Sequence, residues 1–210
     1  MKLYYAETPN SRKACAVAKH LGSPVEWTFV DLQKGEHKTP DFLAINPNGK
    51  VPALEEGDFT LFESNAIMIY LAQKAGSDLW PDDPAEQVEV IKWLSWDIAH
   101  FTRHGGALFF QNLIKPQFGF GDPDPAAIEE ATGFFRQFAS VLDAYLAGKQ
   151  YLVSNRLTVA DIAVATMLPW AAPSHIPVGE FSEISRWNDN LMSLPAWAEP
   201  FPARENAAAA

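Results

Sequence analysis

The stretch Asn46–Ile69, NPNGKVPALEEGDFTLFESNAIMI, decides how the chain is read. Asn46-Pro47-Asn48-Gly49 is turn chemistry, because proline presets φ and Gly or Asn tolerates positive φ. Val51-Pro52-Ala53-Leu54 leads into a short apolar strand. Pro52 lacks an N–H and so belongs at the start of that strand. Glu55-Glu56-Gly57-Asp58 predicts a tight hairpin turn and Phe59–Phe62 the returning strand. Glu63-Ser64 ends that strand, and Ser64 is the expected N-cap of a helix over Asn65–Lys74.

Two features of the stretch point to ligand binding. The residue before Pro52 is held extended, so its backbone groups suit pairing with an extended peptide. Glu63 and Ser64, a carboxylate and a hydroxyl, adjoin a helix start where free N–H groups favour an anion. Those groups suit one end of a zwitterionic amino acid: Glu63 for the ammonium, Ser64 and the helix start for the carboxylate. A capped helix after a hairpin uses the same residues without any ligand, and both readings stay open at this point.

VPALEEGDFTLFESNAI closely resembles the glutathione-binding half-site of the cytosolic glutathione transferases. The resemblance implies that the Val51–Pro52 bond is cis and that the Val51 backbone pairs with the cysteinyl backbone of glutathione. It also implies that Glu63 and Ser64 hold the γ-glutamyl end, and that glutathione is a co-substrate with no metal involved.

The remaining composition sets bounds. The chain has 210 residues, 48% apolar and 12% aromatic, with seven Trp, enough for a well-filled core in one large or two modest domains. Its formal net charge of −10 argues against nucleic-acid binding. A single cysteine, Cys15, cannot form an internal disulfide, which suggests an intracellular, cytoplasmic protein. No signal-peptide profile opens the chain, and no apolar run approaches the ~20 residues of a membrane span. Glu205–Ala210 is expected to be a disordered tail.

Before the quoted stretch, Lys2–Ala6 predicts a strand. Thr8-Pro9-Asn10-Ser11 predicts a helix start, with Thr8 as N-cap and Pro9 at the first helical position. Ala14, Val17, Ala18 and Leu21 continue at helical spacing up to Gly22. Val25–Leu32 is the next expected strand, Lys34–Lys38 a polar loop, and Thr39–Ile45 a short helix capped by Thr39. The order β-α-β-α-β-β-α, with a parallel crossover first and a hairpin last, is thioredoxin-like. A thioredoxin carries C-x-x-C at its first helix. Here Pro9-Asn10-Ser11-Arg12 has no cysteine, so a reacting thiol must arrive with the ligand.

A free thiol of pKa ~8.5 is mostly protonated at neutral pH. Lowering it by ~2 units requires about 2.7 kcal/mol of preference for the thiolate. A helix N-terminus with one or two donors supplies that amount. Thr8, Asn10 and Ser11 offer those donors and are the candidate catalytic residues. Thr8-Pro9-Asn10-Ser11 resembles the same position in the serine/threonine-type members, particularly the plant-like and bacterial ones, and by that resemblance Thr8 falls on the family's activating hydroxyl, two residues before an Asn. It is Thr where most members have Ser, and its β-branch restricts χ1 and could aim the hydroxyl at the helix N–H groups instead. Tyr5 is a lesser candidate. The resemblance further places the pair His37-Lys38 at the glycine carboxylate of glutathione, and with Lys50 these cations in an acidic chain would form a local anion site. As plain residues they also read as solvated loop charges.

Leu79–Pro84, with two prolines, reads as a linker between a thioredoxin-like α/β N-terminal domain (1–78) and an all-α C-terminal helical domain (85–205). Expected helices there are Ala85–Leu113, Ala126–Ala147, Val159–Trp170 and Ser182–Ser193, with Lys115–Pro125 a loop. Thr158 and Asp161 make a capping-box-like start and read as stability residues. The aromatic residues of the long helix serve mostly as core. Phe101 and His104 are the candidates for an apolar second-substrate pocket, which the family builds along this helix. His100 and His104 stand at metal-ligand spacing without a visible third ligand. The resemblance implies a homodimer, and an enzyme passing the glutathione sulfur to a hydrophobic electrophile or to a disulfide. Some bacterial members carry Thr-Pro-Asn at the position of Thr8-Pro9-Asn10 and favour disulfide reduction, so the resemblance also implies a glutathione-dependent disulfide reductase or peroxidase as an alternative. A non-catalytic glutathione-binding protein of the same fold is another.

Overall fold

The computed structural model describes residues 1–203, so the expected tail lies outside the described residues. By its contacts the chain forms two compact units. One is Met1–Ser77 together with the segment from Leu194, and the other is Asp78–Ser193.

The first unit holds β1 (Lys2–Tyr5), α1 (Pro9–His20), β2 (Glu26–Phe29), α2 (Pro40–Ile45), β3 (Ala53–Glu56), β4 (Phe59–Phe62) and α3 (Ser64–Lys74). The four strands form one sheet in the order β2-β1-β3-β4. β2 runs parallel to β1, while β3 is antiparallel to both β1 and β4. This is the thioredoxin-like α/β arrangement expected from the element order. A short 3-10 turn, Glu36–Lys38, lies in the loop before α2.

α1 forms where Thr8 and Pro9 place it. The Thr8 Oγ1 accepts from the Ser11 N–H, and Pro9 occupies the first turn, where its missing N–H costs nothing. Ala14 through Ala18 are buried. On the other side of the sheet Val30, Phe42 and Ala53 form a cluster with Tyr4, Ile45 and Val51 packed against it. One expected cap is corrected. Ser64 is the first residue of α3, and the N-cap is Glu63, which sits at φ 72° with no side-chain cap bond.

The segment from Leu194 also groups with the first unit. It includes α10 (Pro195–Ala198), with Trp197 buried.

The second unit is helical, as expected. α4 (Pro84–Trp96) starts at Asp83, whose Oδ1 accepts from Ala85 and Glu86 N–H at 2.8 and 3.1 Å. The single long helix expected to end at Leu113 is instead a helical run reaching Phe118. Two π segments, Asp97–Phe101 and Phe110–Ile114, flank α5 (Thr102–Phe109), and α6 (Lys115–Phe118) follows. Each π turn shifts the side-chain phase, so that aromatic residues crowded along one run can share the core. Gly119, at φ 68°, ends the run, so the expected loop begins later than Lys115. α7 (Pro125–Leu146), α8 (Val159–Val164) and α9 (Ser182–Met192) follow. The helix expected to reach Trp170 tightens into a 3-10 stretch from Ala165, with Pro169 inside it. Among the described residues no helix is long and apolar enough to cross a membrane.

Asp161 ties this unit together. Thr158 and Asp161 form a reciprocal capping box. The carboxylate accepts from the Thr158 N–H at 3.0 Å, the Leu152 N–H at 2.9 Å and the Trp187 Nε1–H at 3.2 Å. It is fully buried. Burial pushes its pKa up to about 6 against the opposing pull of these donors. Asp161→Ala leaves several buried donors unsatisfied, at about 1–3 kcal/mol each. The expected loss of stability is roughly 3 kcal/mol or more by urea unfolding. Because the folded pKa is raised, the folded chain keeps a proton that the unfolded chain has released between the ordinary carboxylate value and about 6. The carboxyl therefore contributes most below that window and less as pH rises through it. The stability gap between wild type and Asp161→Ala should narrow from pH 4.5 to pH 7, and a gap that widens would refute this account.

Candidate functional site

Strand register brings the predicted residues to one end of the sheet. Tyr4 pairs with Ala53, and Ala53 with Phe62. The carboxyl end of β1, the entry to β3 and the exit from β4 therefore lie side by side. β1 leads into Thr8 and α1, Val51-Pro52 precedes β3, and Glu63-Ser64 follows β4. Two helix N-termini, those of α1 and α3, begin at this edge. They are joined where the Lys13 ammonium donates to the Asn65 Oδ1 at 3.1 Å.

At the α1 start, Thr8 Oγ1 lies 3.3 Å from the Ser11 N and 3.1 Å from the Ser11 Oγ. The Ser11 Oγ accepts from the Ala6 N–H at 3.4 Å. Ser11 is fully buried, whereas Asn10 is exposed and Thr8 half-buried. The three candidates thus separate: Thr8 and Asn10 present polar groups at the surface, and Ser11 supports Thr8 from beneath. Tyr5 is buried, with its ring against Trp27, Phe29 and Phe201, so it belongs to the core. Cys15 is fully buried and desolvation raises its thiol to about 12, which makes it chemically inert near neutral pH.

The Val51–Pro52 bond is cis, as the resemblance implied. Val51 lies just before the paired residues of β3. Glu63, exposed and at a positive φ, is strained for a residue with a side chain, and such strain concentrates at binding sites. Ser64 beside it is 7% exposed.

Asn46 organises the basic loop. Its Nδ2 donates to the Lys50 carbonyl at 2.6 Å, and its Oδ1 accepts from the Asn48 N–H at 3.1 Å. Gly49, at φ 58°, comes so close to the His37 carbonyl that an added Cβ would lie 3.0 Å from it. His37, Lys38 and Lys50 are therefore carried by two loops in contact. The His37 Nδ1 is buried without a hydrogen-bond partner among the described residues. An orphaned imidazole nitrogen on a basic loop fits a site that takes a polar ligand group.

In the second unit, Phe101 is fully buried, stacked on Trp96 and 4.8 Å from Phe135. The expectation that it lines a pocket is corrected, because its ring is consumed by the core. His104 is half-buried and stacks on Phe134 at 4.8 Å, and His100 stacks on Phe138 at 4.4 Å. Desolvation, then the charge of Arg103, lowers the His104 pKa. Among the described residues no group of three or more His, Cys, Asp or Glu is placed to hold a metal ion.

Comparison with known proteins agrees with this architecture. The model of the glutathione S-transferase N-terminal domain matches residues 1–73, and that of the C-terminal domain matches residues 107–195. Glutathione S-transferase 3 of Zea mays is 35% identical over 97% of this chain and 94% of its own length. Glutathione transferase F7 from Populus trichocarpa superimposes with a TM-score of 0.87 at 29% identity, covering 95% of this chain and 96% of its own. A glutathione transferase family member from Pseudomonas fluorescens, solved with two glutathione bound, gives 0.84 at 30% identity over 95% and 91%. The chain belongs to the glutathione S-transferase family.

Gly49 offers a direct check on the loop packing. Gly49→Ala adds a methyl at a positive φ and against the His37 carbonyl. It is expected to lower stability by roughly 1 kcal/mol or more, read as a fall in thermal unfolding temperature. An unchanged midpoint would mean the two loops do not approach as described.

Proposed function

We propose that the chain is a glutathione transferase that binds glutathione along the sheet edge described above and activates its thiol at the start of α1. The observation that carries this is the convergence of Thr8-Asn10, Val51-Pro52 and Glu63-Ser64 at one end of one sheet. Thr8 is the main donor to the sulfur and Asn10 the second. Ser11 acts through Thr8. Heavy-atom positions do not fix which hydroxyl donates across a contact between two oxygens. With the Ser11 proton turned toward Thr8, the Thr8 proton is left for the thiolate. The N-terminus of α1 adds its favourable dipole.

Val51 offers its backbone to the cysteinyl residue of glutathione. Glu63 faces the ammonium of the γ-glutamyl end, and Ser64 with the α3 start faces its carboxylate. His37, Lys38 and Lys50 supply positive charge for the glycine carboxylate. His104 is the remaining candidate for contact with a hydrophobic electrophile. A homodimer and a cytoplasmic location complete the proposal, and light scattering tests the first.

The Thr8-Pro9-Asn10 triplet and the two glutathione molecules in the Pseudomonas fluorescens relative favour a second reading, glutathione-dependent disulfide reduction. Parallel assays with an aryl halide and a mixed disulfide separate the two.

Two measurements test the roles. Ser64→Ala removes a charge-assisted hydrogen bond worth roughly 1.5–3 kcal/mol. Glutathione affinity by calorimetry should fall about tenfold or more with the fold intact, and an unchanged affinity would take Ser64 out of the site. Thr8→Ala should raise the pKa of enzyme-bound glutathione and lower kcat, while Thr8→Ser keeps both near wild type. If titration of thiolate absorbance shows no shift in Thr8→Ala or in Asn10→Ala, neither residue activates the sulfur.

A further inference from the structure

The sequence Leu194-Pro195-Ala196-Trp197-Ala198-Glu199-Pro200-Phe201 has no part in the chemistry so far, yet it is fastened to the helix that carries Thr8. The Arg12 guanidinium donates to the carbonyls of Trp197 and Ala198, the latter at 3.4 Å. It also lies 4.7 Å from the centre of the Trp197 ring, within cation–π range. The Lys19 ammonium, further along α1, donates to the Glu199 carbonyl. Phe201 stacks on Tyr5, with ring centroids 6.1 Å apart and planes at 16°. Arg12 and Trp197 are both buried, at 7% and 1% exposure.

The positions of these contacts matter more than their number. Tyr5 is the last residue of β1, and Arg12 lies just past the first turn of α1. The segment therefore grips the chain on both sides of the turn that holds Thr8. The Arg12 backbone N–H also donates to the Thr8 carbonyl at 2.9 Å, so the gripped residue is bonded directly to Thr8. Burial lowers the Arg12 pKa to about 10, which records how far the guanidinium is withdrawn from water. One guanidinium nitrogen, Nη2, reaches both carbonyls while the guanidinium carbon lies over the indole, and lysine, a single point charge, does not keep both contacts at once.

We propose that residues 194–201 form a strap that positions the thiol-activating turn, with Arg12 as its anchor and Phe201 as its second point of attachment. Arg12 is a positioning residue, acting through Thr8 rather than on the sulfur. The proposal rests on Thr8 being the sulfur's donor. The glutathione contacts named above other than Thr8 and Asn10 lie just before β3, at the start of α3 and in the basic loops. Loosening the strap therefore acts on thiol activation and leaves binding of the ligand largely intact.

The test uses the full chain carrying Arg12→Met, Arg12→Lys or Phe201→Leu, with glutathione and an aryl halide as substrates. Three readouts are the KM for glutathione, kcat, and the pKa of enzyme-bound glutathione from thiolate absorbance. For Arg12→Met, kcat should fall about tenfold and the bound thiol pKa should rise, with the KM for glutathione within about twofold of wild type. Arg12→Lys should recover only part of the loss, and Phe201→Leu should give a smaller shift in the same direction. Phe201→Leu carries the test if Arg12→Met does not fold. A folded variant with a wild-type thiol pKa, or one whose KM changes as much as its kcat, overturns the proposal. Thr8→Ala separates the two levels. If it also leaves the thiol pKa unchanged, the Thr8 assignment has failed. If it raises the pKa while the Arg12 and Phe201 variants do not, the strap alone has failed.

Discussion

The antiparallel pairing of β3 with β1 is the constraint on which the site depends. Had β3 run parallel to β1, its entry would lie at the far end of the sheet from α1. Because Tyr4 faces Ala53 and Ala53 faces Phe62, three chain reversals share one edge. Two helices start there, and the backbone before β3 lies beside them. A row of backbone groups lies there between two positive helix ends, an environment suited to a molecule with a carboxylate and a developing thiolate. The hydrophobic cluster of Val30, Phe42 and Ala53 keeps the strands in that register, since slipping β3 by one residue would turn Ala53 away from Phe42 and expose its neighbours.

Much of this arrangement is legible locally. Thr8-Pro9 and Thr39-Pro40 each mark a helix start, because capping oxygens and N1 prolines act within one turn, whereas Asp83-Pro84 and Asp124-Pro125, expected as the ends of a linker and a loop, cap α4 and α7 in the same way. The capping box at Thr158 and Asp161 is read the same way. The Glu63–Ser64 start was misplaced by one residue, since Glu63 adopts a positive φ that no propensity favours. Only the surrounding hairpin and helix hold it there. The π segments were invisible for a related reason. Sequence periodicity over Ala85–Leu113 signals a helix but not the π segments within it, beside which Phe101 packs on Trp96 and Phe135.

The candidate site was legible as a set of residue types and less so as a set of roles. Thr8, Asn10 and Ser11 looked interchangeable in sequence, each a polar residue at a helix start. Burial separates them, since only Ser11 is sealed beneath the turn. Phe101 and His104 looked alike as pocket residues, yet the π turn carries Phe101 into the core and leaves His104 partly exposed. The grip of Arg12 on Trp197 could not be read at all. An arginine in the first turns of a helix ordinarily points to solvent, and its partners are backbone carbonyls far along the chain, which carry no sequence signal.

The chemistry of the site follows from what its residues lack. Cys15 is sealed in the core with its thiol raised to about 12, so no described side chain offers a reactive sulfur near neutral pH. What α1 presents is a dipole, a hydroxyl and an amide, all of them groups that stabilise a thiolate without forming a bond to it. Such a site suits a sulfur nucleophile delivered by the ligand. The stabilisation required, about 2.7 kcal/mol for ~2 units, is within reach of one or two charge-assisted hydrogen bonds. It depends on their aim, because a hydroxyl whose one proton is given to the Ser11 Oγ has none left for the sulfur. On the proposed assignment of Thr8, its contact with Ser11 decides whether a proton is available to the sulfur. While Thr8 donates to Ser11, it is only a cap. Once Ser11 donates to Thr8, the Thr8 proton is free for the proposed contact with a thiolate, at no change in backbone geometry.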